Sequence, residues 1–492
     1  MNADGFGTGV GSVELVKDRT VPRAAAPAGL AVAVVAAATL PGRPLGIGVV
    51  VVGVGVAIAV SLWRPRILRA ETAALGLVSL GLVGMTAIRS AEWLLTVDLL
   101  AAAALGSLSV TGGVTWAEVL RAPLTVLGRI VVAVPFLARH LAGLGRPLRR
   151  LSPALRGGVL GVGLLIVFGG LFAAADPAFS HLIGQVPVPD WNLSLLPARI
   201  LVFGSVLLGV VSLAAAGSRY LAVEARAVSS RGGLGRTEWA VALGLLDLLF
   251  AAFVAVQVAV LFGGRDHVLR TAGLTYAEYA RQGFFQLVAV AVLTLAVVAG
   301  AVRWSRLHRL SDRRLLQGLL GLLCGMTLVV LISALRRLLL YEDAFGFTRL
   351  RVSVHATILW LAALFVLVLV AGVRWKGRWL PRSSVYLTAI ALLVFSLADP
   401  DRLVAEQNVQ RYRAMGEIDL AYVAGLSADA VPALSDLPPP LRDCALASHA
   451  ALVSDQDDVL GWNLARERAR RTLTASPAGS CLIDLEPPGS LL

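Results

Sequence analysis

The stretch Gly273-Leu-Thr-Tyr-Ala-Glu-Tyr-Ala-Arg-Gln-Gly-Phe-Phe-Gln-Leu287 joins a polar helix start to an apolar run without a break. Gly273 interrupts the preceding chain, and Thr275 with Glu278 has the Thr-x-x-Glu spacing of a capping box. No helix breaker follows before Trp304, and about thirty helical residues span roughly 45 Å, which exceeds the roughly 30 Å hydrocarbon core of a bilayer. The stretch therefore predicts a membrane-spanning helix whose first turns project from the bilayer.

Apolar runs of similar length recur along the 492-residue chain, of which 57% is hydrophobic and whose mean hydropathy is +0.78. This composition predicts an all-α, polytopic transmembrane helix bundle of about 11 spans rather than a set of water-soluble domains. The predicted spans are Ala24–Leu40, Leu45–Trp63, Ala70–Ile88, Trp93–Val110, Leu155–Ala175, Ala198–Gly217, Trp239–Phe262, Gly283–Val302, Leu315–Leu335, Val354–Val373 and Val385–Ala398.

Basic residues are concentrated in alternate loops between these spans, which predicts an N-in, C-out orientation. Residues 1–23 are then a cytoplasmic lead without signal-peptide order, 24–110 a four-span bundle, and 111–153 a cytoplasmic basic loop. Residues 154–398 form a seven-span bundle, and 399–492 a small helical extracytoplasmic C-terminal domain. Within the basic loop, arginines and prolines interrupt the apolar run Ala117–Leu141, which favours an amphipathic helix on the inner membrane surface.

The net charge of +13 does not indicate a nucleic-acid partner. From Asp399 onward the tail has 14 acidic and 8 basic residues, so it carries −6 and leaves +19 distributed among the loops of the membrane region. No basic domain remains to hold a phosphate backbone. Only two lysines, Lys17 and Lys376, accompany the many arginines, which is typical of a GC-rich bacterial genome. Together with the apolar spans, this predicts a location in a bacterial cytoplasmic membrane.

The tail has three predicted helices, at Asp401–Met415, from Ser427 onward, and at Asp458–Leu473, with a turn or linker at Pro438–Pro440. It also contains Cys444 and Cys481. In an exported domain these two residues either form a disulfide or remain as two thiols, and the sequence leaves both alternatives open.

The predicted outer face gathers most of the polar side chains that bear on function. Either these form a ligand or partner surface for an anionic lipid, another anionic ligand or an envelope protein, or they anchor the loops through ion pairs. The residues concerned are Tyr276, Glu278, Tyr279, Arg281, Arg336, Arg337, Arg349, Arg351 and His355. Arginine on the outer side departs from the usual charge rule, so Arg336 and Arg337 need partners, for which Glu342, Asp343, Glu278 and Asp98 are candidates.

Two ionisable residues lie within predicted spans, Asp98 and Asp247. A charge at the bilayer centre costs at least about 2.5–3.5 kcal/mol on insertion scales. The pair is therefore interpreted either as part of a proton or cation relay or as carboxyls hydrogen-bonded to a nearby Ser, Thr or Gln, with Gln257 a candidate partner on the helix of Asp247.

Enzyme and metal-site motifs are absent from the sequence: there is no Gly-x-Ser-x-Gly, no His-Glu-x-x-His, no Walker loop and no cysteine pair at metal spacing. Glu278, Asp266 and His267 are weak catalytic candidates, and no cofactor or metal is predicted. The sequence favours non-enzymatic sensing, scaffolding or transport with a polar site on the extracytoplasmic face. The alternative is an envelope enzyme that acts on a lipid-linked anionic substrate there.

Three segments resemble one bacterial family of multi-pass membrane proteins known only by a domain-of-unknown-function label. The first is Gly273–Leu287, the second is Phe345–Arg351, and the third is Asn408 with Ile418–Pro432 in the tail. The resemblance extends over about Ala154 to Leu434. It implies a polytopic α-helical membrane protein, and it brings no activity from which catalytic residues could be carried over.

Overall fold

In a computed structural model the chain is described over residues 25–63, 70–112, 115–130, 133, 195–217, 235–262, 284–307, 309–374, 377–454, 457–477, 479 and 481. These residues are almost entirely helical and contain no β-strand. The membrane-region helices are α1 (Ala25–Thr39), α2 (Ile47–Trp63), α3 (Ala70–Gly84), α4 (Glu92–Thr111), α5 (Trp116–Gly128), α6 (Leu196–Gly217), α7 (Arg236–Phe262), α8 (Phe284–Trp304), α9 (Leu310–Phe345), α10 (Arg349–Arg374) and α11 (Leu380–Leu397).

Seven of these helices, α4 and α6 to α11, are long and apolar enough to cross a membrane. Three more, α1, α2 and α3, are apolar but shorter. Every predicted span within the described residues therefore coincides with an apolar helix, because runs of apolar residues without breakers both favour helix and match the bilayer. The predicted fifth span, Leu155–Ala175, lies outside the described residues, so the total of about 11 and the orientation stay predictions.

The helices pack as two groups. Helices α7 to α10 surround a large apolar core that contains Trp239, Leu323, Leu338 and Phe365. Helices α1 to α6 form the other group, in which α6 packs against α1, and α11 joins the groups by packing on α10, α3 and α4. Helices α6 and α11 thus contact the first four spans, although the division of the sequence at residues 111–153 assigns them to the second bundle.

Helix α5 begins at Trp116, one residue before the apolar run Ala117–Leu141, and covers the first half of the predicted amphipathic helix. Thr115 and Glu118 form a complete capping box at its start. The helix packs on α4 and α6 but is not among the candidate spans. Its amphipathic pattern agrees with the sequence, while its location at a membrane surface stays a prediction.

The tail is a separate helical layer with its own core, built around Val404, Val431, Leu434 and Leu446. Its helices are α12 (Pro400–Met415), α13 (Leu420–Ala424), α14 (Val431–Leu434), α15 (Pro439–Leu446), α16 (Ala451–Ser454) and α17 (Leu464–Ala475). Cys444 and Cys481 are joined by a disulfide, with their Cα atoms 4.4 Å apart.

Two details of the tail differ from the sequence prediction. Pro438–Pro440 starts a helix rather than forming a linker. Pro438 is the N-cap of α15, and Pro439 and Pro440 lie in its first turn, where the missing N–H of proline leaves no bond unmade. The last helix starts at Leu464 rather than Asp458, because Asn463 caps it through Ala465 N and Arg466 N.

Candidate functional site

The site with the most buried polar groups in the described structure lies where the tail meets one end of the bundle, and we call it the junction. It is defined by four residues of the bundle and four of the tail. These are Arg89, Ser90, Trp93 and Arg349 on the bundle side, and Asp399, Asp401, Asp429 and Asn463 on the tail side.

Asp401 is the centre of the junction and is fully buried. Arg349, at the first turn of α10, donates to both carboxylate oxygens, from Nε at 2.8 Å and from Nη2 at 2.6 Å. Trp93 Nε1 of α4 donates at 3.2 Å, and the backbone N–H of Ser427 donates at 2.9 Å. Four donors from three distant segments therefore satisfy one carboxylate, which is the condition for a buried charge to be tolerated.

The surroundings of Asp401 act on its pKa in opposite directions. Burial raises the pKa, whereas the hydrogen bonds and charge of Arg349, together with the hydrogen bonds of Ser427, lower it. The net result is a pKa below the usual range of an aspartate. Asp401 is therefore ionised at neutral pH and forms a true ion pair with Arg349.

Arg89 forms a second ionic cluster beside the first. It is 8% exposed and lies just before α4. Its guanidinium donates to the backbone oxygens of Ser396 and Leu397 at 2.9 and 2.6 Å, and to Asp399 Oδ2 at 2.5 Å. Asp429 Oδ1 lies 3.7 Å from the same Nη1 atom. The Arg89 guanidinium thus donates hydrogen bonds to the end of α11 and lies close to two tail carboxylates.

Asp399 and Asp429 share the single positive charge of Arg89, so the negative charge of Asp399 is only partly compensated. Burial and the negative charge of Asp429 raise the pKa of Asp399 to about 7, against the lowering effects of Arg89 and Arg402. Asp399 also has a positive φ of 61°, which is uncommon for a residue other than glycine. It caps α12 by accepting from Arg402 N, so this conformation turns the chain from α11 into the tail.

Asp429 ties the tail to the segment before α4. Its Oδ2 atom accepts from the backbone N and Oγ of Ser90 at 2.7 and 2.8 Å, and from Ser427 Oγ at 3.1 Å. The backbone N–H of Asp429 returns a bond to Ser90 Oγ at 3.2 Å. Ser90 and Asp429 are therefore held reciprocally across a separation of 339 residues.

Asn463 makes a comparable link at the start of α17. Its Oδ1 atom caps α17, while Nδ2 donates to the backbone oxygens of Thr86 and Arg89 at 2.8 and 2.7 Å. The preceding turn also caps α2, because Ile47 N and Gly48 N donate to the backbone oxygens of Trp462 and Leu460. A side chain at Gly46 would collide with the backbone of Gly461 and Trp462, so only glycine allows this approach.

The second and third segments of the family resemblance contact each other at the junction. Asn408 accepts from Phe347 N at 3.2 Å and donates to Phe347 O at 2.8 Å. Tyr422 OH accepts from Arg349 N at 2.7 Å. Gly346 has a φ of +78°, and a Cβ there would lie 2.7 Å from Asn408 Oδ1. Residues 345–351, 408 and 418–432 thus form one structural unit.

The residues predicted to form the ligand or partner surface differ in whether the structure describes them and in the contacts they make. Tyr276, Glu278, Tyr279 and Arg281, with Asp266 and His267, lie outside the described residues, so their roles stay predictions. Arg349 is committed to Asp401, as described above. Arg336 is exposed on α9, whereas Arg337 donates to Gln257 Oε1 at 3.1 Å.

Arg351 and His355 lie on α10 next to the end of α9. The Arg351 guanidinium lies over the Tyr341 ring, 4.3 Å from its centroid, and donates to the backbone oxygens of Phe345 and Gly346. His355 Nδ1 is 3.2 Å from Oε1 of the fully buried Glu342. Of the partners predicted for Arg336 and Arg337, Glu342 therefore faces His355 instead.

The two aspartates that the sequence places within predicted spans have different environments. Asp98 is fully buried and accepts from Ser396 Oγ at 2.8 and 2.9 Å, so the hydroxyl-partner interpretation describes it. Gln257, however, is not the partner of Asp247, since ten residues of helix separate them by about 15 Å along the axis of α7. Gln257 accepts from Ser333 and Arg337, and neither carboxyl oxygen of Asp247 has a hydrogen-bond partner in the described structure.

Sequence reasoning did not single out Arg89, Trp93, Asp399, Asp401 or Asn463. One signal was present: Arg89 follows an apolar run on the predicted outer side, against the charge rule, and Asp399-Pro-Asp401 follows the last apolar run directly. A cation and two anions at span ends on the same face predict ion pairing. Among the described residues, no group of His, Cys, Asp and Glu has the arrangement of a metal site.

A family model described as a domain of unknown function (DUF4153) matches residues 72–437, which is most of the chain. The match includes α4, α10, α11 and the first half of the tail, and so every junction residue except Asn463. No curated protein and no solved structure matches the chain.

Proposed function

The chain belongs to the DUF4153 family, and on that premise we propose that it is a non-enzymatic, multi-pass protein of a bacterial cytoplasmic membrane that senses or scaffolds through its extracytoplasmic face. The tail and the outer end of the bundle act there as one unit. The alternation of basic loops supports this orientation, because the helix ends that contact the tail are those assigned to the outer side.

One observation carries the proposal: the coordination of Asp401 by Arg349, Trp93 and Ser427. The arginine that would serve best to hold an anionic substrate is instead used to fix the tail. Removing Arg349 from Asp401 would leave a fully buried carboxylate uncompensated, at a cost of about 3–5 kcal/mol. This geometry supports a docked, partner-binding domain rather than an open catalytic pocket.

The alternative, an envelope enzyme acting on a lipid-linked anionic substrate, receives less support from the described residues. It would depend on Glu278, Asp266 or His267, with Arg351 or Arg336 in place of Arg349 to hold a phosphate. Transport is also less supported, because Asp98 is satisfied by Ser396 near the junction whereas Asp247 lies on α7 in an apolar core. The two aspartates do not outline a continuous polar path.

The orientation is tested by labelling Cys444 and Cys481 in intact bacteria with a membrane-impermeant maleimide, before and after an impermeant reductant. Labelling that appears only after reduction is expected, because the tail is proposed to be outside and the two sulfurs are bonded. Labelling that requires permeabilised cells would place the tail in the cytoplasm and overturn the extracytoplasmic part of the proposal. Cys324, buried in α9, serves as the internal control that stays unlabelled.

Partner binding by the docked tail is tested with a photo-crosslinking residue at Met415 or Val459, which are 62% and 81% exposed. We expect a discrete adduct in intact cells that disappears when Arg349→Ala releases the tail. The same residue placed at Leu245, which is exposed on the membrane helix α7, is the control for random collisions. Absence of adducts at both tail positions would count against scaffolding through the tail.

A further inference from the structure

The last part of the tail forms a lobe that lies beyond the family match, which ends at residue 437. We define the C-terminal lobe as the helices α15, α16 and α17 with the turn 457–463 that precedes α17. The disulfide joins Cys444 in α15 to Cys481 after α17, across 37 residues of chain. The bond therefore closes a loop that includes α16, the turn and all of α17.

The turn 457–463 and the start of α17 connect this lobe to the bundle. Asp458 forms an ion pair with Arg43, and both side chains are partly exposed, so water competes with the pair. Arg466 Nη2 donates to the backbone oxygen of Leu45 at 3.0 Å, and Asn463 donates to the bundle as described above. These polar bonds are directional, so they form only while the turn and α17 keep their positions.

The lobe contributes small side chains to the core of the tail. Those buried there are Ala445 and Leu446 of α15 and Ala469 and Leu473 of α17. Burial of an alanine stabilises less than burial of a larger side chain, because less apolar area leaves water. Helix α17 has twelve residues, a length at which isolated helices are marginal in water. Non-covalent contacts therefore hold the lobe weakly, and a covalent bond should change its position strongly.

The disulfide holds the chain at the end of α17 that is remote from the bundle. Cys444 is 1% exposed, whereas Cys481 is partly exposed. The backbone N–H of Gly479 donates to the carboxylate of Asp443, which places the returning chain directly against α15. Asn463 thus holds the start of α17 at the bundle, and Cys481 holds the chain after α17 at α15.

We propose that Cys444 and Cys481 are the modification site of an extracytoplasmic dithiol oxidase, and that their oxidation clamps the C-terminal lobe onto the bundle. The oxidase rests on the extracytoplasmic tail of the proposed function. The thiolate of the more exposed Cys481 attacks the disulfide of the oxidase and forms a mixed disulfide. The Cys444 thiolate then attacks the Cys481 sulfur and releases the oxidase as a dithiol. Two electrons and two protons thereby pass from this chain to the oxidase.

Oxidation favours the docked lobe because it removes chain freedom from the released lobe. In the chain-entropy model, closing a loop of 37 residues shifts the equilibrium toward the ordered state by a factor on the order of several hundred. The reduced lobe should therefore leave the bundle. The rest of the tail should stay docked, because the contacts of Asp401 and Asp429 with the bundle lie outside the closed loop.

The test uses the full-length protein, purified in a neutral detergent with the disulfide formed, and measures trypsin cleavage at two sites by mass spectrometry. Arg468 is exposed on α17 inside the closed loop, and Arg402 is exposed on α12 outside the lobe. Reduction with dithiothreitol should speed cleavage at Arg468 by at least about thirtyfold, because α17 then opens more often. Cleavage at Arg402 should change by less than about threefold. Cys481→Ala should be cleaved rapidly at Arg468 without any reductant.

The matched control is Cys324→Ala, which removes the buried free thiol of α9 and should respond as wild type does. Reoxidation with glutathione disulfide should restore protection at Arg468 in wild type and in this control, but not in Cys481→Ala. Equal acceleration at Arg468 and Arg402 would overturn the proposal, since the bond would then stabilise the whole tail. Unchanged cleavage at Arg468 would overturn it as well.

The role of the oxidase is tested in bacteria that lack their envelope dithiol oxidases. Both tail cysteines should be open to alkylation in the denatured chain from these cells, and a fully oxidised chain would overturn that role. The cleavage rates are measured on purified protein, so they do not depend on the side of the membrane. A tail that the maleimide labelling places in the cytoplasm would remove the oxidase and leave the cleavage result intact, which distinguishes the two failures.

Discussion

The junction and the core of helices α7 to α10 both bury an aspartate, but the two carboxyl groups differ in their hydrogen-bond partners. At the junction, Asp401 accepts four hydrogen bonds from Arg349, Trp93 and Ser427. In the core, Asp247 is 5% exposed on α7, and neither carboxyl oxygen has a hydrogen-bond partner among the described residues. The first arrangement depends on its ionised state for docking, whereas the second makes no described contact that requires a charge.

The contrast separates residues that hold the structure together from residues whose presence the structure does not explain. Replacing a junction residue should therefore change stability, with an effect that follows the number of partners lost. Replacing Asp247 should change stability little. The expected effect is largest for Arg349 and smallest for Asp247.

Arg349→Ala should destabilise the tail by about 3–5 kcal/mol, because it leaves the fully buried Asp401 without its counter-ion. Limited proteolysis of the tail, compared with the melting temperature of the whole protein, measures the loss. The matched control is Arg413→Ala, which removes an exposed pair with Asp436 and should cost at most about 0.5 kcal/mol.

A double variant, Arg349→Ala with Asp401→Asn, sharpens this prediction. It removes both charges together, so its destabilisation should be smaller than the sum of the single changes. Additive effects would mean that the two side chains act independently and that the ion pair does not hold the tail.

Asn463→Ala should destabilise tail docking by about 2 kcal/mol, since it removes the cap of α17 and the two bonds to Thr86 O and Arg89 O. Asp419→Ala removes only the cap of α13, at Tyr422 N, and should cost about 1 kcal/mol. Equal effects in the two variants would show that the bonds of Asn463 to the bundle contribute nothing measurable.

How much of this could be predicted from sequence depends on the range of the interactions. The helices were predictable because apolar runs and capping residues act within a few residues of the chain. The last tail helix was placed six residues early because Asp458 and Asn463 are both acceptable caps, and only the contact of the intervening turn with α2 selects Asn463.

The junction could not be predicted in the same way, because its partners are far apart in the chain. Arg349 and Asp401 are 52 residues apart, and Ser90 and Asp429 are 339 apart. A single sequence shows that Arg89 and Arg349 lie at span ends, but not which carboxylate each one meets. The segments Phe345–Arg351 and Ile418–Pro432 were recognisable as motifs, yet their direct contact through Tyr422 follows only from the fold.

The junction should also respond to pH through Asp399, which faces Arg89, Asp429 and Arg402. The pKa of this residue is raised to about 7 by burial and by the charge of Asp429, from an ordinary value of 3.8. The docked state therefore binds a proton more tightly than the released state, so docking weakens as pH rises from about 4 to about 7. Asp401 has the opposite effect because its pKa is lowered in the docked state. Protonation of Asp401 therefore weakens docking, and it does so only at a pH below the ordinary pKa of an aspartate.

The melting temperature of the tail, measured between pH 4.5 and 8, tests whether docking weakens as pH rises. Asp399→Asn should flatten the dependence, and asparagine tolerates the positive φ at this position. Asp436→Asn, in an exposed pair with Arg413, should leave the dependence as in wild type. A docking strength that increases with pH over this range would contradict the assignment of Asp399.

The smallest effect is expected for Asp247→Asn. The substitution preserves the shape of the side chain and breaks no described hydrogen bond, so the melting temperature should change little or rise. Asp98→Leu is the informative comparison, because it removes both oxygens that accept from Ser396 Oγ and should lower the melting temperature measurably. A large loss of stability in Asp247→Asn would reveal a structural partner and remove the contrast with the junction. If the variant folds normally but fails to complement a deletion strain, the carboxyl of Asp247 is retained for function, since packing and hydrogen bonding would not explain the defect.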